Sequence, residues 1–239
     1  MNLIVDIGNT RAKLVIFDGE CPVEVTATDH NLTALPALAE QYACQRAIVS
    51  TTAGMPPLAQ ERIGALPYPV VHLQADTPLP IRNHYRTPGT LGTDRLAAVV
   101  GAQAMKPGRD LLVIDCGTCI TYDLLDREGN YWGGNISPGV AMRLEAMHRL
   151  TARLPLVERE GPVPQVGYDT ETAIRCGVMQ GVGHEIEGFI RYFQKKYPSV
   201  LVFLTGGDAR NLDISKNCTI FADEILVPRG LNQILNYNQ

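Results

Sequence analysis

The chain has 239 residues, enough for one large domain or two small ones, and 45% hydrophobic with 19% charged residues excludes a disordered protein. A formal net charge of -4 argues against a general nucleic-acid binder, which needs a basic face, but leaves room for a local cationic pocket around an anionic substrate. No apolar run reaches membrane-spanning length, and the N-terminus leads into a strand, not a signal peptide, so a cytoplasmic protein with no nucleic-acid or membrane partner is expected.

Residues 2–27 predict three successive strands with turns at Gly8-Asn9 and Asp18-Gly19. The spacing of Leu32, Leu35, Leu38 and Ala39 predicts a helix over 31–42. A short strand over 47–50, a Pro-interrupted helix near 57–63 and a strand over 69–73 follow. Residues 76–91, rich in Pro, Thr and Gly, read as an irregular loop of a length that often carries function. A helix starts at Thr93 or Asp94, runs through Ala102 and stops at Lys106-Pro107-Gly108.

The opening pattern then recurs. Strands are expected over 111–115, 119–125 and 130–135, with a turn at Glu128-Gly129-Asn130 and a helix from Pro138 to about Leu150. Residues 155–167 are Pro-rich and loop-like, and a long helix covers 170–196. A strand over 200–204 ends in Thr205-Gly206-Gly207-Asp208-Ala209 and opens a helix; a short strand and a C-terminal helix follow Pro228. Aligning Asp6 with Asp115 sets Gly8 on Gly117 and Gly19 near Gly129, so the halves read as copies of one βββαβα unit.

The repeated element carries the first chemistry. Each copy is a hydrophobic strand, an aspartate, a spacer and a glycine, then a second strand: Asp6-Ile7-Gly8-Asn9-Thr10, through Arg11 and Ala12 to Lys13, and Asp115-Cys116-Gly117-Thr118. The glycine lets backbone amides approach a ligand. Two such turns suit a nucleoside triphosphate and its metal. Asp6 can hold hydrated Mg²⁺, usually through water; Thr10 and the turn amides can bind phosphate, and Lys13 adds a point charge. Either turn by itself is also a simple hairpin.

Three further stretches qualify. Leu91-Gly92-Thr93-Asp94-Arg95 opens a helix after a loop holding Tyr85 and Pro88. Asp94 there is either an N-cap or a base for a substrate hydroxyl, with Arg95 binding an anion. Gly206-Gly207 permits close approach of a flat ligand or phosphate. Gly133-Gly134-Asn135-Ile136-Ser137-Pro138-Gly139 is a packing turn or one wall of a cleft. Asp169 or Thr170 serves as an N-cap for the long helix, with Glu171 and Glu185 solvated. The five histidines show no ligand spacing. Cys116 and Cys119 form a lone C-x-x-C with no second pair, no His at zinc spacing and no following helix. With Cys21, Cys44, Cys176 and Cys218 they are expected to be free thiols in a reducing compartment.

Over nearly its whole length, and in order, the chain resembles the type III pantothenate kinases of the acetate and sugar kinase/Hsp70/actin superfamily. The resemblance rests on Asp6-x-Gly8-Asn9-Thr10, Tyr85-x-x-Pro88-x-x-Leu91-Gly92-x-Asp94-Arg95 and Asp115-x-Gly117-Thr118. It continues through Gly133-Gly134-x-Ile136-x-Pro138-Gly139, Gly167-x-x-Thr170-x-x-Ala173 and Thr205-Gly206-Gly207. The Tyr85–Arg95 stretch is the specific part, because the superfamily shares the two phosphate turns.

The resemblance implies an α/β, duplicated ribonuclease H-like (actin-like ATPase) fold, with two βββαβα-type domains at 1–105 and 106–239 and an ATP cleft between them. It implies ATP-dependent phosphorylation of pantothenate to 4'-phosphopantothenate, the first step of coenzyme A biosynthesis. Asp94 would be the general base. Asp6, Ile7, Gly8, Asn9, Thr10, Arg11, Ala12, Lys13, Thr118, Gly206 and Gly207 would bind ATP, and Asp6 would hold Mg²⁺ through water. Asp115 would bind a monovalent cation, K⁺ or NH₄⁺. Tyr85, Gly92, Thr93, Asp94, Arg95 and Thr170 would bind pantothenate. A homodimer with the pantothenate pocket near its interface is implied, so that Thr170 is open to contribution from the partner subunit; helices 138–150 and 170–196 are the expected dimer helices. Small departures are Thr87, where many relatives carry Asn, and Cys116 and Cys119 in place of small or aliphatic residues.

Overall fold

The structure is a computed structural model that describes residues 1–52, 54–212 and 220–238. The chain forms two compact units. One comprises residues 1–108, 125–133 and 225–239, the other 109–124 and 134–224.

The first unit is built on strands β1 (Asn2–Ile7), β2 (Ala12–Asp18), β3 (Cys21–Thr28), β4 (Arg46–Thr51) and β5 (Val70–His72), with helices α1 (Leu35–Gln41) and α2 (Pro57–Gly64) between them. The sheet order is β3-β2-β1-β4-β5. β1 is antiparallel to β2, parallel to β4, and central. Leu3, Ile4 and Val5 are all buried, as expected of a strand covered on both faces. Leu3, Val5, Ile7, Leu14 and Ile16 pack with Leu32, Leu35 and Leu38, and with Ala59 and Ile63 of α2. Helix α3 (Thr93–Met105) and the C-terminal α6 (Leu226–Tyr237) pack on each other, and both contact β4. They meet at glycines: a Cβ on Gly101 would lie 2.4 Å from the Leu226 carbonyl, and one on Gly230 would lie 1.7 Å from that of Ala97.

The second unit repeats this plan. Its strands are β7 (Leu111–Cys116), β8 (Cys119–Leu125), β9 (Asn130–Pro138), β10 (Leu201–Thr205) and β11 (Ile220–Ala222), with helices α4 (Val140–Arg149) and α5 (Thr170–Lys196). Their order is β11-β10-β7-β8-β9; residues 130–133 at the start of β9 fall within the first unit, where Asn130 and Tyr131 pair with the short β6 (Arg82–Asn83). Counted from the first strand of each unit, both sheets run third, second, first, fourth, fifth, as a duplication requires. The central strands β1 and β7 also share one burial pattern: four buried residues, a mostly buried aspartate, and a buried residue. Along the 27-residue α5, Ile174, Val178, Val182, Ile186 and Ile190 form a stripe at every fourth position that packs with Leu112, Ile114 and Tyr122.

Five local expectations are corrected. Helix α1 starts at Leu35, not at 31, because Leu32 has a left-handed φ of 57° and the Asp29 carboxylate accepts the Thr33 N–H. The 76–91 loop contains β6 and a 3₁₀ turn over Pro88–Thr90. α4 begins at Val140, since Ser137 precedes a proline and is held extended as part of β9. Among the described residues directly after β10 there is only a 3₁₀ turn, Ala209–Asn211, because the Asp208 N–H turns back to the Cys116 carbonyl at 3.0 Å. Finally, Pro228 lies in the first turn of α6, and strand β11 precedes it; proline is tolerated there because first-turn N–H groups lack helical acceptors.

Among the described residues no helix is long and apolar enough to cross a membrane. Cys21, Cys44, Cys116, Cys119 and Cys176 are free thiols, with Cys21 exposed and Cys116 and Cys176 buried; Cys218 lies outside the described residues.

Candidate active site

In the first unit β1 delivers Asp6 at its penultimate position. The following turn is closed by the Gly8 N–H to the Arg11 carbonyl at 3.2 Å, and a Cβ on Gly8 would sit only 3.3 Å from that oxygen. Asn9, Thr10 and Arg11 are exposed, whereas Ile7 and Ala12 are buried anchors on either side. His30 approaches the turn from outside, its Nε2 2.9 Å from the Gly8 carbonyl. Nothing local in the sequence marks that contact, since 22 residues separate the two.

Burial and two neighbours set the charge of Asp6. Burial pushes its carboxyl up, Lys13, its partner across the β1–β2 ladder, pulls it down, and Asp94 pushes it up again. The net result is a pKa of about 6. A carboxylate in that state gains from a nearby cation, which fits a role in holding Mg²⁺ with ATP.

Asp94 comes from the start of α3. Ser50, paired with Asp6 in the parallel β1–β4 ladder, is buried and hydrogen-bonds Thr93 Oγ1 at 3.0 Å. That contact ties the helix start to the strand ends. The Asp94 side chain folds back, with Oδ1 accepting the Arg95 N–H at 2.8 Å. A Cβ on Gly92 would lie 2.4 Å from the same Oδ1, so this position must be glycine for the carboxylate to sit there. Arg95 is buried, its guanidinium carbon 5.8 Å from the Tyr85 ring centre. Tyr85 in turn lies on Gly133, whose φ is 91° and whose Cβ would be 2.8 Å from the ring. Gly133 therefore supports Tyr85. Asp6, Tyr85, Gly92, Thr93, Asp94 and Arg95 thus belong to one connected arrangement in the first unit.

In the second unit Asp115 occupies the matching place on β7, and the Gly117 N–H closes the turn onto the Cys119 carbonyl at 3.0 Å. Gly206, at φ 93°, presses against this turn: a Cβ there would lie 2.5 Å from Asp115 Oδ1 and 2.4 Å from the Cys116 carbonyl. Gly139 seals the other side. Its N–H donates to the Thr118 carbonyl at 3.0 Å, and its Cβ would meet the carbonyls of Gly117 and Thr118 at 2.3 and 2.5 Å. Thr118 and Gly207 are exposed, and a Cβ on Gly207 would meet nothing within 4 Å.

The Asp115 carboxylate and the Cys116 carbonyl therefore both lie against Gly206, with no room for a side chain between. Among the described residues no cluster of three or more His, Cys, Asp or Glu side chains could hold a metal. Burial, Asp115 and Asp208 push the Cys116 thiol up to about 12, so it is no ready thiolate. Two cavities of about 320 Å³ border this region, one including Arg159 and Asp208, the other Thr205, Gly206 and Ala209.

Thr170 is the exposed first residue of α5. Asp169, not Thr170, is the N-cap, in a capping box with Thr172. Gly167 is needed because its Cβ would lie 2.4 Å from Ala173 Cα. Glu185, expected in solvent, instead accepts hydrogen bonds from Tyr122, Ser137 and Arg143.

The family model described as type III pantothenate kinase matches residues 2–192. A type III pantothenate kinase of Bacteroides fragilis is 52% identical over 239 residues, covering 100% of this chain and 98% of that protein. One from Phocaeicola vulgatus is 49% identical, with 100% and 99% covered. Among solved structures, a conserved putative Baf family transcriptional activator from Campylobacter jejuni superposes with a TM-score of 0.61 at 22% identity, with 99% and 98% covered. A ROK family glucokinase from Streptomyces griseus, solved with glucose and AMPPNP, gives 0.52 at 10% identity, with 99% and 98% covered. At those identities the two structures speak for the fold alone, which is that of the actin-like ATPases.

Proposed function

The chain belongs to the type III pantothenate kinase family, and from that membership we propose that it phosphorylates pantothenate with ATP, using Asp94 as the general base. The observation that supports this reading is the arrangement at the start of α3. Asp94 is seated over Gly92, next to the buried Arg95 that faces Tyr85, and is near enough to Asp6 to raise its pKa. Asp94 takes the proton of the primary hydroxyl as that oxygen attacks the γ-phosphorus and the bond to the β–γ bridging oxygen breaks, releasing ADP. Tyr85, Thr93 and Arg95 orient pantothenate, Arg95 through its carboxylate, and Thr170 contributes from α5.

Residues 6–13 form the first phosphate turn, with Asp6 the carboxylate toward Mg²⁺. Thr118, Gly206 and Gly207 contact ATP. Bound with ATP, Mg²⁺ supplies charge neutralisation on the transferring phosphoryl group. Asp115 and the Cys116 carbonyl hold a monovalent cation, K⁺ or NH₄⁺. The product is 4'-phosphopantothenate, and the step is the first of coenzyme A biosynthesis.

The test is a coupled ADP-release assay with pantothenate, ATP, Mg²⁺ and K⁺. Asp94→Asn should lose about 10²- to 10⁴-fold in kcat while KM for ATP stays within a few fold. Absence of pantothenate-dependent turnover in the unaltered protein would overturn the activity. Near-normal turnover in the Asn variant would overturn the role of Asp94.

A further inference from the structure

Glu185 lies on α5, outside every motif considered above, yet it is the most connected carboxylate in the second unit for which partners are described. Its Oε1 accepts the Tyr122 hydroxyl at 2.8 Å and the Ser137 hydroxyl at 2.5 Å. Its Oε2 pairs with Arg143 Nη2 at 2.6 Å. Arg143 Nε donates in turn to the Pro138 carbonyl at 2.8 Å. One carboxylate thus gathers β8, the end of β9 and α4 onto α5. Burial raises its pKa, but the hydrogen bonds from Ser137, Arg143 and Tyr122 outweigh that and hold the carboxyl below its ordinary value, so it is charged at neutral pH.

Two of the tethered residues, Ser137 and Pro138, immediately precede Gly139. Gly139 is the residue that donates to the Thr118 carbonyl and lies too close to the carbonyls of Gly117 and Thr118 to carry a side chain. Tyr122 stands on the strand that leaves the same turn, and its carbonyl is where a Cβ on Gly134 would intrude, at 1.7 Å. Short contacts of this kind transmit displacement, because a packed interface has no slack to absorb it.

We propose that Glu185 is a positioning residue for phosphoryl transfer: through Ser137, Arg143 and the 137–139 strap it sets the place of the Thr118 turn and so the affinity for ATP. This rests on the reading above that Thr118 contacts ATP. Glu185 touches no substrate in this account. Its effect is confined to the second turn, and pantothenate affinity is governed by the Tyr85–Arg95 group and by Thr170, fifteen residues from Glu185 at the start of α5.

The experiment compares Glu185→Gln, Ser137→Ala, the double variant and Thr118→Ala in steady-state ADP-release kinetics, with thermal unfolding run alongside. Glu185→Gln keeps the shape and removes the charge, and Ser137→Ala removes one tether with almost no change in volume. Each should raise KM for ATP by about fivefold or more, with KM for pantothenate within twofold of the unaltered protein. The double variant should be no worse than the product of the two single effects, because both act on one strap. A lowered melting temperature with KM for ATP unchanged in both single variants overturns the proposal and leaves Glu185 a structural residue. So does a parallel rise in both KM values. If Thr118→Ala also leaves KM for ATP unchanged, the assignment of Thr118 falls, and the proposal falls with it; if only Thr118→Ala responds, that assignment stands and the positioning role alone is lost.

Discussion

Gly206→Ala isolates the second turn. At φ 93° a residue with a side chain is strained by about 1–3 kcal/mol. The new methyl carbon would also start 2.5 Å from Asp115 Oδ1 and 2.4 Å from the Cys116 carbonyl, where ordinary contact begins near 3.4 Å. Relieving that overlap requires a shift of roughly 1 Å, an overpacking cost of about 1–3 kcal/mol. The total, about 2–6 kcal/mol, corresponds to a melting temperature lower by roughly 4–24 °C for a chain of this size. Because the displaced atoms are the proposed cation ligands, the K⁺ concentration giving half-maximal ADP release should rise by about tenfold or more. Gly207→Ala is the matched control. Its methyl group meets nothing within 4 Å, so unfolding should move by no more than about 2 °C, while KM for ATP rises because the group projects where the nucleotide is proposed to lie. A Gly206→Ala protein that melts within 2 °C of the unaltered one and responds to K⁺ identically would refute both the packing argument and the cation role of Asp115.

The Asp6 carboxyl, with a pKa of about 6, must be ionised to serve Mg²⁺-ATP, so kcat/KM for ATP should fall as the pH drops through 6. Lys13→Met removes the positive charge that opposes burial and should move this acid limb to higher pH; an unmoved limb would detach the limb from Asp6. Dimerisation through α4 and α5 is proposed from the exposed Met142, Leu150, Tyr168 and Tyr192 along or beside those helices. Light scattering should give twice the chain mass of 26.1 kDa, and a fully active monomer would sink the idea.

The parts of the fold legible in the sequence are those written locally. Leu3-Ile4-Val5 and Leu111-Leu112-Val113-Ile114 announce buried central strands, and a glycine two residues after each aspartate announces a turn. The every-fourth-residue apolar stripe of α5 sets its length and its buried face. What local pattern does not reveal is set by distant partners. β6 exists because Arg82 and Asn83 find Asn130 and Tyr131. Pro138 ends a strand rather than starting a helix, beside a serine tethered to Glu185, 48 residues away in sequence. Glu185 reads as a solvated helix residue until Tyr122, Ser137 and Arg143 are seen around it, and His30 has no marker of its contact with Gly8.

The same distinction bears on the proposal that the two copies of the turn hold different ions. Sheet order and strand burial are common to both units, so the scaffold alone would predict equivalent aspartates. Their surroundings differ. Asp6 is flanked by charge, with Lys13 across the ladder and Asp94 at the start of α3, the setting proposed above for Mg²⁺ with ATP. Asp115 has the Cys116 carbonyl beside it, both oxygens lying within about 2.5 Å of where a Cβ on Gly206 would be, and these are the two oxygens on which the proposed monovalent-cation role rests. Lys13 and Asp94 are visible in the sequence; the convergence at Asp115 depends on Gly206, some ninety residues downstream, whose φ of 93° lets the chain come that close.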